Sequence, residues 1–296
     1  MKKYFITSDT HSFYTILMKA LKRKGFDVNN PEHIFVLVGD LFDRGEESKQ
    51  LYEWVKALPR ERRILIRGNH EILFRELVKK GYAESHDLHN GTLDTLYQLN
   101  DWDDAKETHD HYKRLAQMNS NEPDYDIIRD GLWRGRKMCF KSPIVKEVVD
   151  WFASDEWVNY WETEHYIFAH GWIPLKIHIN WDVYYSYGYI EKTAKDEYRE
   201  DWRNATDVEW EDATWFNWRE NYQLVKQGLN QTGKTIVVGH WHTSDLYKLL
   251  NGTKKFIYDC PIYKSKRYNV IGLDACTAGS GKANILVLSE DELWRN

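Results

Sequence analysis

The 296-residue chain has only three cysteines, no long apolar run and no marked excess of either charge. No Cys-x-x-Cys pair is present, which argues against a disulfide-stabilised secreted domain and predicts a reducing cytoplasm. No apolar stretch approaches the length of a membrane span, and the apolar run after the basic N-terminus stops too early for a signal peptide. The net charge of −5 provides no general basic field for nucleic acid. We therefore expect neither a membrane nor a nucleic acid as partner.

Five short polar blocks each follow an apolar run that is typical of a buried strand. Each block places Asp, Asn or His where its strand is expected to end. Oxygen and imidazole ligands that arrive from several strand ends suit a pair of divalent cations, which indicates metal-assisted hydrolysis of a phosphate ester. The blocks are residues 8–11 (SDTH), 39–45 (GDLFDRG), 67–71 (RGNHE), 168–171 (FAHG) and 239–243 (GHWHT).

The order of apolar runs and amphipathic segments predicts a single α/β domain over residues 1–296 that begins with βαβ units. Strands are expected at 3–7, 34–38, 64–66, 166–169 and 235–238, and helices at 13–24, 46–58, 71–80, 91–99, 103–117 and 143–153. Two insertions are expected, a mainly helical one over about 75–164 and an aromatic-rich cap over about 173–233. Strands at 256–258, 270–273 and 284–288 are expected to form a terminal antiparallel set.

The polar blocks offer a specific set of metal ligands. Asp9 and His11 are two residues apart, so in an extended segment both side chains would leave the same face. The carboxylate of Asp40 has two oxygens and is able to bridge two cations, and Asn69 offers a neutral amide oxygen. Three histidines at strand ends complete the candidate set: His170, His240 and His242.

A second group of residues suits proton transfer and phosphate binding. His70 lies beside Asn69 and is free to donate a proton to a departing alkoxide near neutral pH. A carboxylate hydrogen-bonded to His70 would orient the ring and favour its protonated form, and Asp43 is the candidate. Arg44 and Arg67 have forked donors that suit phosphate oxygens.

The ordered set Asp-x-His, Gly-Asp-x-x-Asp-Arg-Gly, Gly-Asn-His-Glu, His and Gly-His-x-His resembles the calcineurin-like metallophosphoesterase superfamily. The blocks at 39–45 and 67–71 are most similar to its bacterial and bacteriophage phosphoprotein phosphatase branch. The resemblance implies two mixed β-sheets packed face to face, flanked by helices in four layers. It also implies a hydroxide bridging two metal ions as the nucleophile, with no Ser or Cys nucleophile.

The same resemblance assigns individual roles. Asp9, His11 and Asp40 would hold the first metal, with His242 as a further candidate, and Asp40, Asn69, His170 and His240 would hold the second. His70 with Asp43 would be the proton donor, Arg44 and Arg67 would bind phosphate, and Arg219 resembles a further phosphate-binding arginine. The expected metal is Mn²⁺, with Fe or Zn also compatible with mixed oxygen and nitrogen ligands.

Three substrate classes compete at this point. The pair Asp43-Arg44 favours a phosphomonoesterase that acts on phosphoprotein, ahead of a dinucleoside polyphosphate (diadenosine tetraphosphate) hydrolase and of a nuclease or phosphodiesterase. A small phosphoester is the alternative to a phosphoprotein substrate. A non-catalytic metal-binding scaffold is the remaining hypothesis, although none of the expected ligands is missing.

Overall fold

Two five-stranded sheets, packed face to face, form the centre of the protein. The computed structural model describes residues 1–101, 137–180, 193–253 and 259–295, without the side chains of 137–138, 177–180 and 193–196. The first sheet has the order Leu286–Ser289 (β12), Lys3–Thr7 (β1), His33–Val38 (β2), Arg63–Ile66 (β3) and Trp157–Val158 (β4). The second has the order Tyr263–Ser265 (β10), Val270–Gly272 (β11), Thr235–Val238 (β9), Tyr166–Phe168 (β6) and Trp161–Glu162 (β5). A separate antiparallel pair joins Lys176–Asn180 (β7) to Thr193–Glu197 (β8).

Strand β2 shows why both faces of these sheets are apolar. Phe35 and Leu37 belong to the core between the first sheet and its helices, whereas Ile34, Val36 and Val38 belong to the core between the two sheets. Because successive side chains of a strand point to opposite faces, a continuous apolar run is required when both faces are covered. The prediction of a doubly buried strand is confirmed.

Helices cover the outer face of each sheet and complete the four layers. The first sheet packs against Tyr14–Arg23 (α1), Ser48–Ala57 (α2), Asn69–Lys80 (α3), Thr92–Leu99 (α5) and Pro143–Phe152 (α7). The second packs against Asp207–Thr214 (α8), Trp218–Lys226 (α9) and Thr243–Asn251 (α10). The shorter helices are Ser85–Asn90 (α4), Lys137–Phe140 (α6), Thr277–Ser280 (α11) and Glu290–Trp294 (α12), and single 3₁₀ turns occur at Arg60–Arg62 and Trp202–Asn204. The predicted four-layer α/β architecture is thus confirmed.

The predicted terminal antiparallel set is wrong. Strand β11 pairs in parallel with β9 in the second sheet, while β12 pairs antiparallel with β1 in the first. Local periodicity predicts that a strand exists but contains no information about its partner, and these pairings join residues far apart in the chain. The predicted strand at 256–258 and helix at 103–117 lie outside the described residues.

The aromatic-rich segment between β7 and β9 adds core to the second sheet. Trp202 and Trp218 are fully buried, and Trp210 is nearly so. All three belong to the cluster that packs against the outer face of that sheet. Within the described ranges, no helix is both long and apolar enough to cross a bilayer.

The carboxylate of Glu156 gives a pH-dependent contribution to stability. Its Oε2 accepts hydrogen bonds from Arg63 Nε and from Trp151 Nε1, each at 3.1 Å. Burial raises the pKa of Glu156, but these bonds outweigh burial and hold its pKa below the usual value. A depressed folded-state pKa means that the stabilisation is present above the unfolded pKa and is lost as the pH falls through the folded pKa.

We therefore expect Glu156→Gln to lower the free energy of unfolding by about 1–3 kcal/mol at pH 7. The difference from the wild type should shrink once the pH falls below about 4.3, the ordinary glutamate pKa. Urea unfolding of both proteins across this range measures the difference, with the exposed Glu53→Gln on α2 as control. A difference independent of pH would contradict this assignment.

Candidate metal and phosphate site

The candidate ligands lie at one edge of the two sheets, beyond the carboxyl ends of parallel strands. Asp9 follows β1 by two residues and Asp40 follows β2 by two residues. His170 and His240 follow β6 and β9 in the same way, and Asn69 begins α3 after β3. Because β1, β2 and β3 run parallel to one another, as do β6 and β9, the chain reaches this edge five times.

The loops at this edge have an unusual backbone. Six candidate residues adopt left-handed φ values between 47° and 76°: Asp9, His11, Asp40, Asp43, Arg44 and His240. Non-glycine residues rarely take this conformation, and such residues cluster at functional sites. The expectation that Asp9 and His11 lie in an extended segment is therefore wrong, yet their side chains still converge, with His11 Nε2 3.9 Å from Asp9 Oδ1.

Asp40 lies at the centre of two groups of metal-binding side chains. His11, Asp40 and His70 form one group and Asp40, His170 and His240 form the other, with the ligand atoms of each group within 4.8 Å of one another. Asp40 Oδ2 is 3.7 Å from His11 Nε2, and Asp40 Oδ1 is 3.2 Å from His170 Nε2. A carboxylate shared by two groups is the arrangement that a pair of bridged cations requires.

The hydrogen bonds of two histidines fit metal binding. His11 donates from Nδ1 to the Phe42 carbonyl and His170 donates from Nδ1 to the Val38 carbonyl, each at 2.9 Å. A carbonyl that fixes Nδ1–H leaves Nε2 to face the cluster, as ligating histidines require. His170 Nε2 also lies 2.9 Å from Asn69 Oδ1. The side chains present therefore fit a divalent-metal centre.

Two buried carboxylates of the cluster are shifted in opposite directions. Burial and the nearby Asp274 carboxylate raise the pKa of Asp9 well above its usual range. Burial also acts to raise the pKa of Asp40, but the adjacent His170 and His70 hold that pKa well below the usual range. Asp40 is thus the most strongly anionic group, in agreement with a central position between cations.

The pKa values of the histidines in the cluster are also shifted in opposite directions. Burial and the Arg44 guanidinium lower the pKa of His11 well below its usual value, and burial with the charge on His170 lowers the pKa of His240 to about 3. For His170, the opposing effect of burial is exceeded by Asp40, which raises the pKa to about 10. Neutral imidazoles are the form that ligates metal, and a cation binding beside Asp40 would displace the proton on His170.

His70 is hydrogen-bonded to the carboxylate of Asp43, and both oxygens of that carboxylate accept further hydrogen bonds. Its Nδ1 donates to Asp43 Oδ2 at 2.6 Å, and its Nε2 faces the cluster, 3.8 Å from Asp40 Oδ2. The hydroxyls of Thr92 and Thr95 donate to the two oxygens of Asp43, each at 2.8 Å. Although burial lowers the pKa of His70, Asp40 and Asp43 raise it more, so the pKa lies above its usual value. This geometry suits a proton donor more than a third imidazole ligand.

The three candidate arginines occupy different positions. Arg44 is exposed at the rim, with Nη2 3.4 Å from His70 Nε2. Arg67 donates to Asn159 Oδ1 at 2.7 Å and to the carbonyls of Phe152 and Trp157 at 3.4 and 3.3 Å, while its buried Nε has no hydrogen-bond partner among the described residues. Arg219 is exposed and lies over the ring of Trp241, 5.1 Å from the ring centre, beside the His240 loop.

His242 lies one residue beyond Trp241, at the start of α10, and neither described group of metal-binding side chains includes it. Its charge acts on the buried carboxylate of Asp274. Asp274 in turn acts on the carboxylate of Asp9, so the role of His242 as a ligand of the first cation stays a prediction.

Sequence reasoning missed the role of Glu71. Its carboxylate is buried and accepts backbone N–H bonds from Leu41 at 2.8 Å, Asp40 at 3.1 Å and Gly68 at 2.7 Å. It therefore joins the loop after β2 to the loop after β3. Gly68 permits this approach, because a Cβ there would lie 2.3 Å from Asp40 Oδ1. The sequence signal was the glutamate that ends the 67–71 block.

Glu71→Gln is expected to weaken metal binding and turnover by roughly tenfold to a hundredfold, since second-shell partners have effects of this size. The amide group of Gln would face a backbone N–H, leaving one buried donor unpaired at a cost of about 2 kcal/mol. Titration with Mn²⁺ and urea unfolding measure the two effects, and the exposed Glu76→Gln on the same helix is the control. A variant that loses stability but keeps its metal affinity would show that Glu71 has no positioning role.

Together the fold, the shared Asp40 and the His70–Asp43 pair define a metal-dependent phosphoesterase. The chain belongs to the calcineurin-like phosphoesterase family, whose model matches residues 2–244. Divalent metals are the cofactors of this family. Among curated proteins, none matches this chain in sequence.

Several solved structures are similar over most of the chain. A metallophosphoesterase from Sphaerobacter thermophilus is 14% identical, with 99% of this chain and 85% of that chain covered and a TM-score of 0.43. A protein serine/threonine phosphatase from Saccharomyces cerevisiae is 14% identical, with 92% and 67% covered and a TM-score of 0.47. A cold-active protein-tyrosine phosphatase of a psychrophile Shewanella species is 13% identical, with 98% and 76% covered and a TM-score of 0.46.

Proposed function

We propose that this protein hydrolyses phosphate monoesters of the Ser/Thr phosphoprotein type, with Mn²⁺ as the metal. The observation that supports this most directly is the position of His70. Its Nδ1 is fixed on Asp43 while its Nε2 faces Asp40, so a proton donor stands beside the candidate metal ligands. An alkyl phosphate has a poor leaving group and depends on such a donor.

When bound, two divalent cations would supply an acidified water and neutralise charge on the phosphoryl group. Asp9, His11 and Asp40 would hold one cation, and Asp40, Asn69, His170 and His240 would hold the other. His70 would transfer the proton on Nε2 to the leaving oxygen, while Asp43 retains its hydrogen bond to Nδ1. Arg44, next to His70, would donate to non-bridging phosphoryl oxygens and hold the ester in line.

The sequence has only three cysteines and no Cys-x-x-Cys pair, which supports a reducing compartment such as the cytoplasm for this activity. A phosphorylated protein would then be the partner. His242 is a further candidate ligand for the first cation, since its charge acts on Asp274, which in turn acts on Asp9. Arg67 contributes less to this proposal than Arg44, because its terminal nitrogens bond Asn159 and backbone carbonyls.

The test compares four substrates with Mn²⁺ present: a phosphoserine peptide, p-nitrophenyl phosphate, diadenosine tetraphosphate and bis-p-nitrophenyl phosphate. The proposal expects the highest kcat/KM on the two monoesters and phosphate release from the peptide. Preferential cleavage of diadenosine tetraphosphate would contradict the proposal and would indicate a dinucleoside polyphosphate hydrolase. Preference for the diester would indicate a phosphodiesterase, and no hydrolysis of any of the four would favour a binding scaffold.

A further inference from the structure

A large open pocket lies beside the candidate metal centre. It has a volume of about 690 Å³ and is lined by residues from the segments before β7, after β8 and around α8 and α9. Its volume lies in the range of small-ligand sites. None of the candidate metal ligands or proton donors lines this pocket, so the function proposed above gives it no role.

Trp215 connects this pocket to the metal centre. Its side chain is 48% exposed and lines the pocket, and its ring meets the ring of His240 edge to face at 5.8 Å. The next residue, Phe216, accepts a hydrogen bond on its carbonyl from Trp241 Nε1 at 2.7 Å. This wall of the pocket is therefore fixed to the His240 loop. A substrate with its phosphoryl group at the metals would extend its neighbouring groups toward the pocket.

The pocket combines apolar surface with a carboxylate that is unpaired within the described part of the chain. Ile173, Pro174 and Leu175 contribute apolar surface. Asp212, exposed on α8, lines the pocket and makes no ion pair with any residue that the structure describes. An aliphatic stem with a cationic end matches this combination, because long basic side chains bury their stems and keep the charge at a polar edge.

The remaining charges of the lining disfavour an anionic occupant. Arg199 is already paired with Asp201 through Nε at 2.6 Å and also with Glu209. Lys176 is the other cation and, like Asp212, is exposed without an ion pair to any described residue, so the five charged groups leave one net negative charge. A polyphosphate chain would be repelled by these carboxylates, whereas a basic side chain would be attracted.

The exposed indole favours the same occupant. Cations attract aromatic faces, most strongly that of tryptophan. Two neighbouring tryptophans are already used in this way, since Arg219 lies 5.1 Å from the ring centre of Trp241 and Arg203 lies 4.3 Å from that of Trp202. Trp215 has no such partner among the described residues, and its side chain is 48% exposed.

We propose that this pocket binds a lysine or arginine side chain of the polypeptide substrate, close in sequence to its phosphorylated residue. The proposal rests on the phosphoprotein activity proposed above and names its substrate class more closely. Asp212 provides the opposite charge, and Trp215 provides the stacking surface nearest the metal centre. The pocket would thereby select basic phosphorylated segments over acidic ones.

The test uses phosphoserine peptides of equal length with a single Arg, Ala or Glu placed at each of the three positions on either side of the phosphoserine. The wild-type enzyme with Mn²⁺ is expected to show a kcat/KM about tenfold higher for Arg than for Ala at one or more positions, as one ion pair and one cation–π contact would supply. The readout is the Arg-to-Ala ratio, which a general loss of activity does not change.

Asp212→Asn is expected to lower this ratio, since it removes the ion pair and leaves the contact with Trp215, and Asp212→Lys to reverse the preference in favour of Glu. The exposed Asp150→Asn on α7 should keep the wild-type ratio. Equal kcat/KM for all peptides, or a preference that survives Asp212→Lys, would overturn the pocket assignment while leaving the phosphoprotein activity intact. Hydrolysis of p-nitrophenyl phosphate but of none of the peptides would overturn both.

Discussion

Asp40→Asn is expected to abolish stoichiometric metal binding and to lower kcat at least about a thousandfold. Asp40 belongs to both groups of metal-binding side chains, so one substitution weakens both positions. Losing several kcal/mol of charge stabilisation corresponds to a factor of this size, since each 1.36 kcal/mol is tenfold in rate. Elemental analysis of the purified protein and steady-state assays with added Mn²⁺ measure the two effects.

The same variant should also be less stable than the wild type when metal is absent. Asp40 is buried, and the adjacent His170 and His70 hold its pKa well below the usual range, so its charge stabilises the metal-free fold at neutral pH. An amide removes one partner of a buried charge pair, so the free energy of unfolding of the metal-free variant should fall by about 3–5 kcal/mol. Asp150→Asn serves as control. Two metals per chain in Asp40→Asn would contradict the central position of this carboxylate.

His70→Asn is expected to lower the turnover of phosphoserine peptides by about 10²–10⁴-fold, the range of general acid catalysis. The alkoxide of serine must be protonated as it leaves, and the variant has no proton on Nε2 to give. The nitrophenolate of p-nitrophenyl phosphate is stable without a proton, so its hydrolysis should fall by less than about tenfold. The comparison of the two substrates in one preparation makes the test independent of enzyme concentration.

Two further variants complete this test. Asp43→Asn should lower peptide turnover in the same direction, because the ring loses the negative charge of its 2.6 Å partner, which helps to keep it protonated. His89→Asn, which changes an exposed histidine on α4, should have no effect on either substrate. If His70→Asn lowered the turnover of both substrates by the same factor, His70 would act as a metal ligand. Its position beside His11 and Asp40 would also allow that role.

Much of the fold could be predicted because it depends on local patterns. The buried runs became β1, β2, β3, β6 and β9 with small changes at their ends, and most predicted helices within the described residues appear. The terminal strands could not be assigned to sheets, since β11 and β12 pair with strands that lie far away in the chain. The side chains that support the site were missed for the same reason, as Thr92 and Thr95 reach Asp43 across about fifty residues.

The individual positions of the site were less predictable than its composition. Asp9 and His11 converge through left-handed backbone, which spacing in an extended strand does not describe. Arg67 was predicted to bind phosphate from its place in the 67–71 block; its terminal nitrogens bond Asn159 and backbone carbonyls, and the phosphate-binding role stays a prediction. Hydrogen bonds hold the residues close to Asp40 in place. Glu71 bonds the loop after β2, and the carbonyls of Val38 and Phe42 orient His170 and His11.

The division of the ligands between the two sheets has a mechanical consequence. Asp9, His11, Asp40 and Asn69 come from loops of the first sheet, whereas His170 and His240 come from loops of the second. Cations held by both sets would act as cross-links across the apolar seam, adding to the contacts there. Ligand-linked stabilisation of this kind grows with the free cation concentration. Removal of the cations by a chelator would then weaken the contact between the two sheets and also abolish catalysis.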